Sequence, residues 1–260
     1  MIYKDSSRTI PERVEDLLGR MTLKEKVGQM NQRMLGWNAF VIKEGEPEIT
    51  QAYKDEVAFG DGLGALYGIS RADGWNSHIT MGISPEESVR TANALQKYAI
   101  EHTRLGIPVL MAAECPHGHE ALEGTVFPTN IGIGSTWNPE LYEKVCSVIA
   151  EELRARGGHL ALVSTLDIAT DPRWGRCEEC YGEDPLLAAR FSEKAVTGIQ
   201  GRNASPLLPG SKAAVVLKHF CAQGATMGGH NGKSTNIGPR ELREIHLSGM
   251  RSGAAAGAMG

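Results

Sequence analysis

Apolar positions along this chain alternate between two patterns. Short, nearly unbroken apolar runs are followed by longer stretches with a period near 3.6. "GLGALYGI" (62–69), "IPVLMAAE" (107–114), "HLALVSTLDIA" (159–169) and "KAAVVLKHF" (212–220) read as strands. Unbroken apolar character is what strands covered on both faces need. Between them, "SPEESVRTANALQKYAIEHTRLG" (84–106), "NPELYEKVCSVIAEELRARGG" (138–158), "DPLLAARFSEKAVTGIQG" (184–201) and "GPRELREIHLSGMRSGAAAG" (238–257) read as helices. Ser84, Pro85 and Glu87 make an N-terminal capping signature, with Gly106 as the stop, and Asn138 caps the next helix. Leu141, Val145, Val148 and Ile149 predict one buried helix face, and Leu187, Phe191, Ala195 and Ile199 another. "NIGIGSTW" (130–137) is predicted as a further strand, and the closing "AMG" as the opening of one more.

The N-terminal part is less regular. "PERVEDLLGRMTLKEKVGQMNQ" (11–32) starts helical, with Val14, Leu17, Leu18 and Met21 on one face. A capping box at Thr22–Glu25 restarts the helix. Residues 34–60 show no clear period and are predicted irregular. Strands alternating with helices imply parallel βα units, in an open doubly wound sheet or a barrel of the triosephosphate-isomerase type. A closed eight-stranded barrel needs roughly 250 residues. The lead-in uses part of that length, and four or five clear units follow. The expected organisation is a lead-in over 1–60 and an incomplete (β/α) barrel over 61–260, both of one domain.

A chain of 260 residues buries a sizeable core. Its net charge of -4 gives no basic patch for nucleic acid or an anionic membrane surface, so neither is expected as partner. Five cysteines (Cys115, Cys146, Cys177, Cys180, Cys221) do not suggest a disulfide framework. The opening "MIYKDSSRTIPER" has no apolar signal core, and no run is long enough to span a bilayer. The expected setting is therefore a reducing, cytoplasmic one. No glycine-rich nucleotide motif opens a helix.

In parallel α/β folds, ligands bind at the carboxyl ends of the strands. Those ends carry Glu114 before "CPHGH", the segment "DPRWGRCEECYGED" (171–184), and Lys218 with His219. Convergence of such groups is the physical clue to a site. Carboxylates accept from hydroxyls, Arg and Lys donate to them, and Trp covers an apolar ring face, which suits a polyhydroxylated ligand. Plainer readings stand beside this one. Asp171 and Arg173 suit a turn, and Arg176 can pair with Glu178, Glu179 or Glu183 in a structural network. Lys218 is harder to dismiss, since lysine is rarely buried without a partner. His117-x-His119 and Cys177-x-x-Cys180 lack a second pair at metal-ligand spacing, so no metal is expected. Trp137 is predicted in the core, and His159 as a satisfied polar residue.

"DPRWGRCEECYGED", with "KHF", "GIPVLMAAECPHGH", "FPTNIGIGSTWNPEL" and the opening "RVEDLLGRMTLKEKVGQM", resembles family 3 of the glycoside hydrolases. The resemblance runs almost from end to end, in order. It implies the first, barrel-type domain of an enzyme such as a β-glucosidase or β-xylosidase. It implies that Glu114, Arg176, Lys218 and His219 grip the terminal non-reducing sugar, and that Glu179 orients Arg176 or Lys218. Retaining hydrolysis with two carboxylates is implied. No Ser-Asp-[Trp/Tyr/Phe] motif occurs, so the resemblance puts the nucleophile Asp and the acid/base Glu downstream, with the barrel end and a second α/β domain. No catalytic residue is assigned within the chain, and no cofactor is implied. The implied substrates are β-linked oligosaccharides or aryl and alkyl glucosides, and the implied partner is the missing C-terminal part of the enzyme. The alternatives are a β-xylosidase, or a non-catalytic sugar-binding fragment. An incomplete barrel exposes sheet edges, so self-association is also expected.

Overall fold

The computed structural model describes residues 1–33, 35–74, 78–202 and 208–260. The chain divides into two compact units, Met1–Ile69 with Arg90–Met111, and Ser70–Val89 with Ala112–Gly260. In chain order, the elements that build or enter the first unit are α1 (Ile10–Arg20), α2 (Leu23–Gln29), β1 (Gln32–Arg33), β2 (Phe40–Lys43), β3 (Glu46–Ile49), α3 (Gln51–Phe59), β4 (Ala65–Tyr67), α4 (Pro85–Glu101) and β5 (Leu110–Glu114). The second unit continues with α5 (Asn130–Gly134), α6 (Pro139–Ala155), β6 (Leu160–Thr165), α7 (Pro185–Gln200), β7 (Ala214–Lys218), α8 (Pro239–Glu241) and α9 (Ser248–Ala255). A single π-turn, Leu242–His246, joins α8 to α9.

In the first unit, both early helices open with a full capping box, Thr9 with Glu12 and Thr22 with Glu25. The second box has another use. Glu25 is buried, and Arg104 grips its carboxylate through Nε at 2.9 Å and Nη2 at 2.6 Å. The face predicted for α1 is only partly covered, because Val14 and Leu18 are exposed. Polar contacts to the N-terminal turn hold α1 instead: Tyr3 N donates to Asp16, and Arg13 Nε to Tyr3 O. Residues 40–59 are not irregular. β2 and β3 form an antiparallel hairpin, and α3 follows, capped by Thr50. Glu44 (φ 52°) and Gly45 (φ 80°) make its two-residue turn, a left-handed conformation at both positions. β1 and β4 pair in parallel. α4 has its Ser84–Glu87 box, but it stops at Glu101, short of Gly106.

In the second unit, β5, β6 and β7 pair in parallel, with Ala112 beside Leu160 and Leu160 beside Ala214. Parallel pairing in this register sends all three carboxyl ends to one edge. At the other side of β7, Gly260 N donates to Val215 O and Gly260 O accepts from Leu217 N. The core packs α6 and α7 around Tyr142, Tyr181 and Phe191, whose ring centroids lie 5.1 to 5.4 Å apart. The two tyrosine hydroxyls meet at 2.8 Å, which satisfies both inside the core.

Three expectations fail here for physical reasons. "NIGIG" alternates like a strand, yet α5 is helical and buries Asn130, Ile133 and Gly134, the i, i+3, i+4 set of a helix face. Gly134 also allows an approach no side chain permits, since a Cβ there would sit 2.0 Å from Tyr181 O. The buried face of α6 is rotated from the prediction: Tyr142, Cys146, Ile149, Ala150 and Leu153 are buried, while Leu141 and Val148 are exposed. Trp137 is 69% exposed with φ 52°, outside the core.

Phe191 is fully buried between the two tyrosines. Phe191→Ala is expected to cost about 3–5 kcal/mol, read as a lowered urea midpoint at unchanged slope.

Candidate functional site

Each site residue follows from where its strand ends. Glu114 is the last residue of β5, and Lys218 the last of β7. A register shift between Val163 and Thr165 lets Lys218 pair opposite Thr165. Lys218 Nζ lies 2.6 Å from Glu114 Oε2, and both side chains are largely buried. The pair therefore spans the carboxyl ends of β5 and β7, on either side of β6.

The segment 171–184 wraps beside it. Asp171 caps a short turn, accepting from Arg173 N at 2.9 Å, and pairs with the Arg173 guanidinium at 2.7 Å. That pair is exposed at Arg173, so it shapes the turn. Trp174 is buried and donates from Nε1 to Asn231. Cys177 Sγ donates to Asp171 O, and Cys180 is buried, so the two thiols pack and pin the loop. Arg176 makes a two-pronged contact with Glu179, Nε to Oε1 at 2.6 Å and Nη2 to Oε2 at 2.8 Å. Asn130 Nδ2 holds the Glu179 carbonyl at 2.9 Å. Burial pulls the Arg176 guanidinium down, but Glu179, Asp167 and Glu114 together hold it above its usual value.

His219 joins the second strand end to this loop. Its Nδ1 lies 2.9 Å from Asp167 Oδ2, and its Nε2 lies 3.3 Å from Arg176 Nη2. An Arg can only donate, so the neutral ring carries its proton on Nδ1, donates to Asp167, and accepts at Nε2. Asp167 also accepts from Gly224 N at 3.2 Å. The peptide bonds Lys218–His219 and Phe220–Cys221 are both cis.

The structure thus brings together Glu114, Arg176, Glu179, Lys218 and His219. Sequence reasoning missed Asp167, whose side chain is fully buried. The signal was present: an Asp inside the apolar run "STLDIA" needs buried donors, the same logic applied to Lys218. A second group was also missed. Arg71 pairs with Asp73 beside Glu120, and Ser70 Oγ meets the buried His119 at Nε2. Among the described residues, no three His, Cys, Asp or Glu side chains form a metal-holding group.

Fold and site define a parallel α/β protein whose strand ends carry mutually paired charges around donors suited to a neutral, polyhydroxylated ligand. The chain belongs to glycoside hydrolase family 3, since residues 22–259 match the family described as "Glycosyl hydrolase family 3 N terminal domain". A periplasmic β-glucosidase/β-xylosidase of Dickeya chrysanthemi is 30% identical over 87% of this chain and 34% of its own length. A β-glucosidase structure from Erythrobacter marinus has a TM-score of 0.85 at 30% identity, covering 99% of this chain and 32% of that one. A β-glucosidase structure from Listeria innocua in complex with glucose has a TM-score of 0.76 at 31% identity, covering 95% of this chain and 32% of that one. The chain spans 30% to 40% of the length of the first curated relatives it matches.

His119 gives a pH test of this region. Burial, with the Arg156 charge, pushes its imidazole down from 6.5 to about 3. Between those values the unfolded chain holds a proton that the folded one does not, so stability falls as pH drops below 6.5. His119→Gln is expected to remove about 3 kcal/mol of that loss by about pH 4, measured by urea unfolding against pH.

Proposed function

We propose that this chain supplies the sugar-binding half of an exo-acting, retaining β-glucosidase. The observation that carries the reading is the closed set of charges at the ends of β5, β6 and β7: Glu114 on Lys218, Glu179 on Arg176, and Arg176 on His219 on Asp167. In this reading Glu114 accepts from hydroxyls of the terminal non-reducing glucosyl unit, while Arg176, Lys218 and His219 complete the grip. Glu179 and Asp167 fix the directions of Arg176 and His219. The glucose complex of the Listeria relative supports a glucosyl ligand.

Hydrolysis with retention needs two carboxylates flanking the bond, one attacking the anomeric carbon and one protonating the leaving oxygen. Glu114, Glu179 and Asp167 are each committed to a cation or to His219, so none is assigned either role. The nucleophile and the acid/base come from further polypeptide, which is the partner this reading requires, and a homo-oligomer is compatible with it. β-Linked oligosaccharides and aryl or alkyl glucosides are the proposed substrates. The Dickeya relative is named for β-xylosidase as well, which makes β-xylosides the second choice.

Two measurements test this. The purified 260-residue chain is expected to hydrolyse no appreciable aryl β-glucoside, and turnover by material shown by intact mass to contain only this chain would refute the assignment of roles. Arg176→Lys keeps the charge but loses the fork, and is expected to weaken glucose binding about tenfold by NMR titration. Unchanged affinity in the folded variant would remove Arg176 from the site.

A further inference from the structure

Residues 222–235 follow the site strand β7 and are tied back onto the turn Pro172–Trp174 and the chain before it. Gly224 N donates to Asp167 Oδ1 at 3.2 Å, and Gly224 O accepts from Thr170 Oγ1 at 3.0 Å. Gly229, at φ 69°, presses on the turn so closely that a Cβ there would sit 2.8 Å from Arg173 Cβ. The segment also closes on itself: Met227 N donates to Ser234 O at 3.1 Å, and Thr226 forms an antiparallel bridge with Thr235. These contacts make it a strap with a fixed course.

Trp174 is the residue the strap holds. Its side chain is buried, and a buried indole N–H needs an acceptor. Asn231 Oδ1 supplies one at 3.0 Å, and accepts from Gln223 Nε2 at 2.9 Å as well. A single amide oxygen on an exposed residue thus joins two points of the strap to the indole. On the site side, the Arg176 guanidinium carbon lies over the Trp174 ring, 5.7 Å from its centroid and within cation–π range. Glu179 grips one edge of that guanidinium through Nε and Nη2, and Trp174 backs it.

We propose that Asn231 is a positioning residue for sugar binding: through Trp174 Nε1 it fixes the ring that backs Arg176, and so directs the Arg176 donors to the sugar hydroxyls. The proposal rests on the sugar-binding reading of Arg176. The bond needs an acceptor at Oδ1 and nothing else of the amide. Asn231→Asp keeps that acceptor, whereas Asn231→Leu keeps the size and removes it. Both changes fall on an exposed side chain, so neither opens the core.

The test uses the whole chain in three forms: wild type, Asn231→Asp and Asn231→Leu. NMR first follows the Trp174 indole N–H, assigned by its loss in Trp174→Phe, and the Arg176 Nε–H, which the Trp174 ring current shifts. In Asn231→Leu both signals are expected to move and the indole proton to exchange faster with solvent, while Asn231→Asp keeps the wild-type behaviour. Unmoved signals in folded Asn231→Leu overturn the proposal, and no ligand is needed to read them. Glucose affinity by NMR titration is the second readout. Asn231→Leu is expected to bind about threefold more weakly, and Asn231→Asp to bind as wild type does. Equal weakening in both variants, or none in either, overturns the link to binding. Should Asn231→Leu not fold, Trp174→Phe breaks the same bond from the other side and is held to the same binding outcome. If glucose fails to bind wild type, the sugar-binding reading falls and the link falls with it, while the two N–H signals still decide whether Asn231 positions Trp174 and Arg176.

Discussion

A lysine that ends a mostly apolar strand must find an anion, and that requirement organises this site. Desolvating an ammonium costs several kcal/mol unless a carboxylate meets it closely, and removing either partner of such a pair costs about 3–5 kcal/mol. Lys218 finds Glu114 at 2.6 Å. The two residues are 104 positions apart in sequence, so only the parallel register of β5, β6 and β7 can deliver the contact. The irregularity between Val163 and Thr165 is part of that register, because it changes which residue of β6 stands opposite Lys218. Fold and site are thus one constraint: any slip of β7 would bury a lysine without its counterion.

The neighbouring residues repeat the solution with different chemistry. Arg176 sits on a loop, so no ladder fixes it. The two-pronged contact with Glu179 does, and Asn130 on α5 anchors the Glu179 backbone in turn. His219 is placed by a fully buried Asp167, which sets the tautomer and leaves Nε2 to accept from Arg176. The strand end and the loop are locked together through that ring. Arg176, Lys218 and His219 are each held by a partner that fixes their direction, and pre-set directions spare a ligand bound there the cost of ordering those side chains.

Much of this was legible in the sequence because it is local. Capping boxes at Thr22 and Ser84 and the Asn138 cap involve residues three apart, and the structure holds all three. Unbroken apolar runs gave β5, β6 and β7, and the charges at their ends gave the candidate site. The failures come where a weak local signal competes with tertiary contact. The hairpin of β2 and β3 hides behind a Glu-Gly turn rather than an Asn-Gly one, and its strands are only four residues long. α5 alternates like a strand, and the close approach of Gly134 to Tyr181 explains the last of its glycines. On α6 several apolar positions compete for one face, and the aromatic cluster at Tyr142 selects which of them is buried. Asp167 was missed because it lies inside an apolar run rather than at its end, where attention to strand ends does not look.

The charge pairing also restricts what the site can bind. Glu114, Glu179 and Asp167 answer Lys218, Arg176 and the Nδ1 proton of His219, so an ionic ligand would have to displace a partner and leave a buried charge unanswered, a cost of about 3–5 kcal/mol. A neutral ligand with many hydroxyls faces no such cost. Lys218 has three donors and Arg176 five, and the contacts to Glu114, Glu179 and His219 use only some of them. A hydroxyl both donates and accepts, so it can join a charged pair without breaking it. Opposite perturbations in adjacent residues extend the same economy to the rim. Burial pushes His119 down and Glu120 up, so in both groups near Glu114 it disfavours the charged form. Glu114, Lys218, Arg176 and Glu179 each have a charged partner, and that arrangement favours a polyol over an ion.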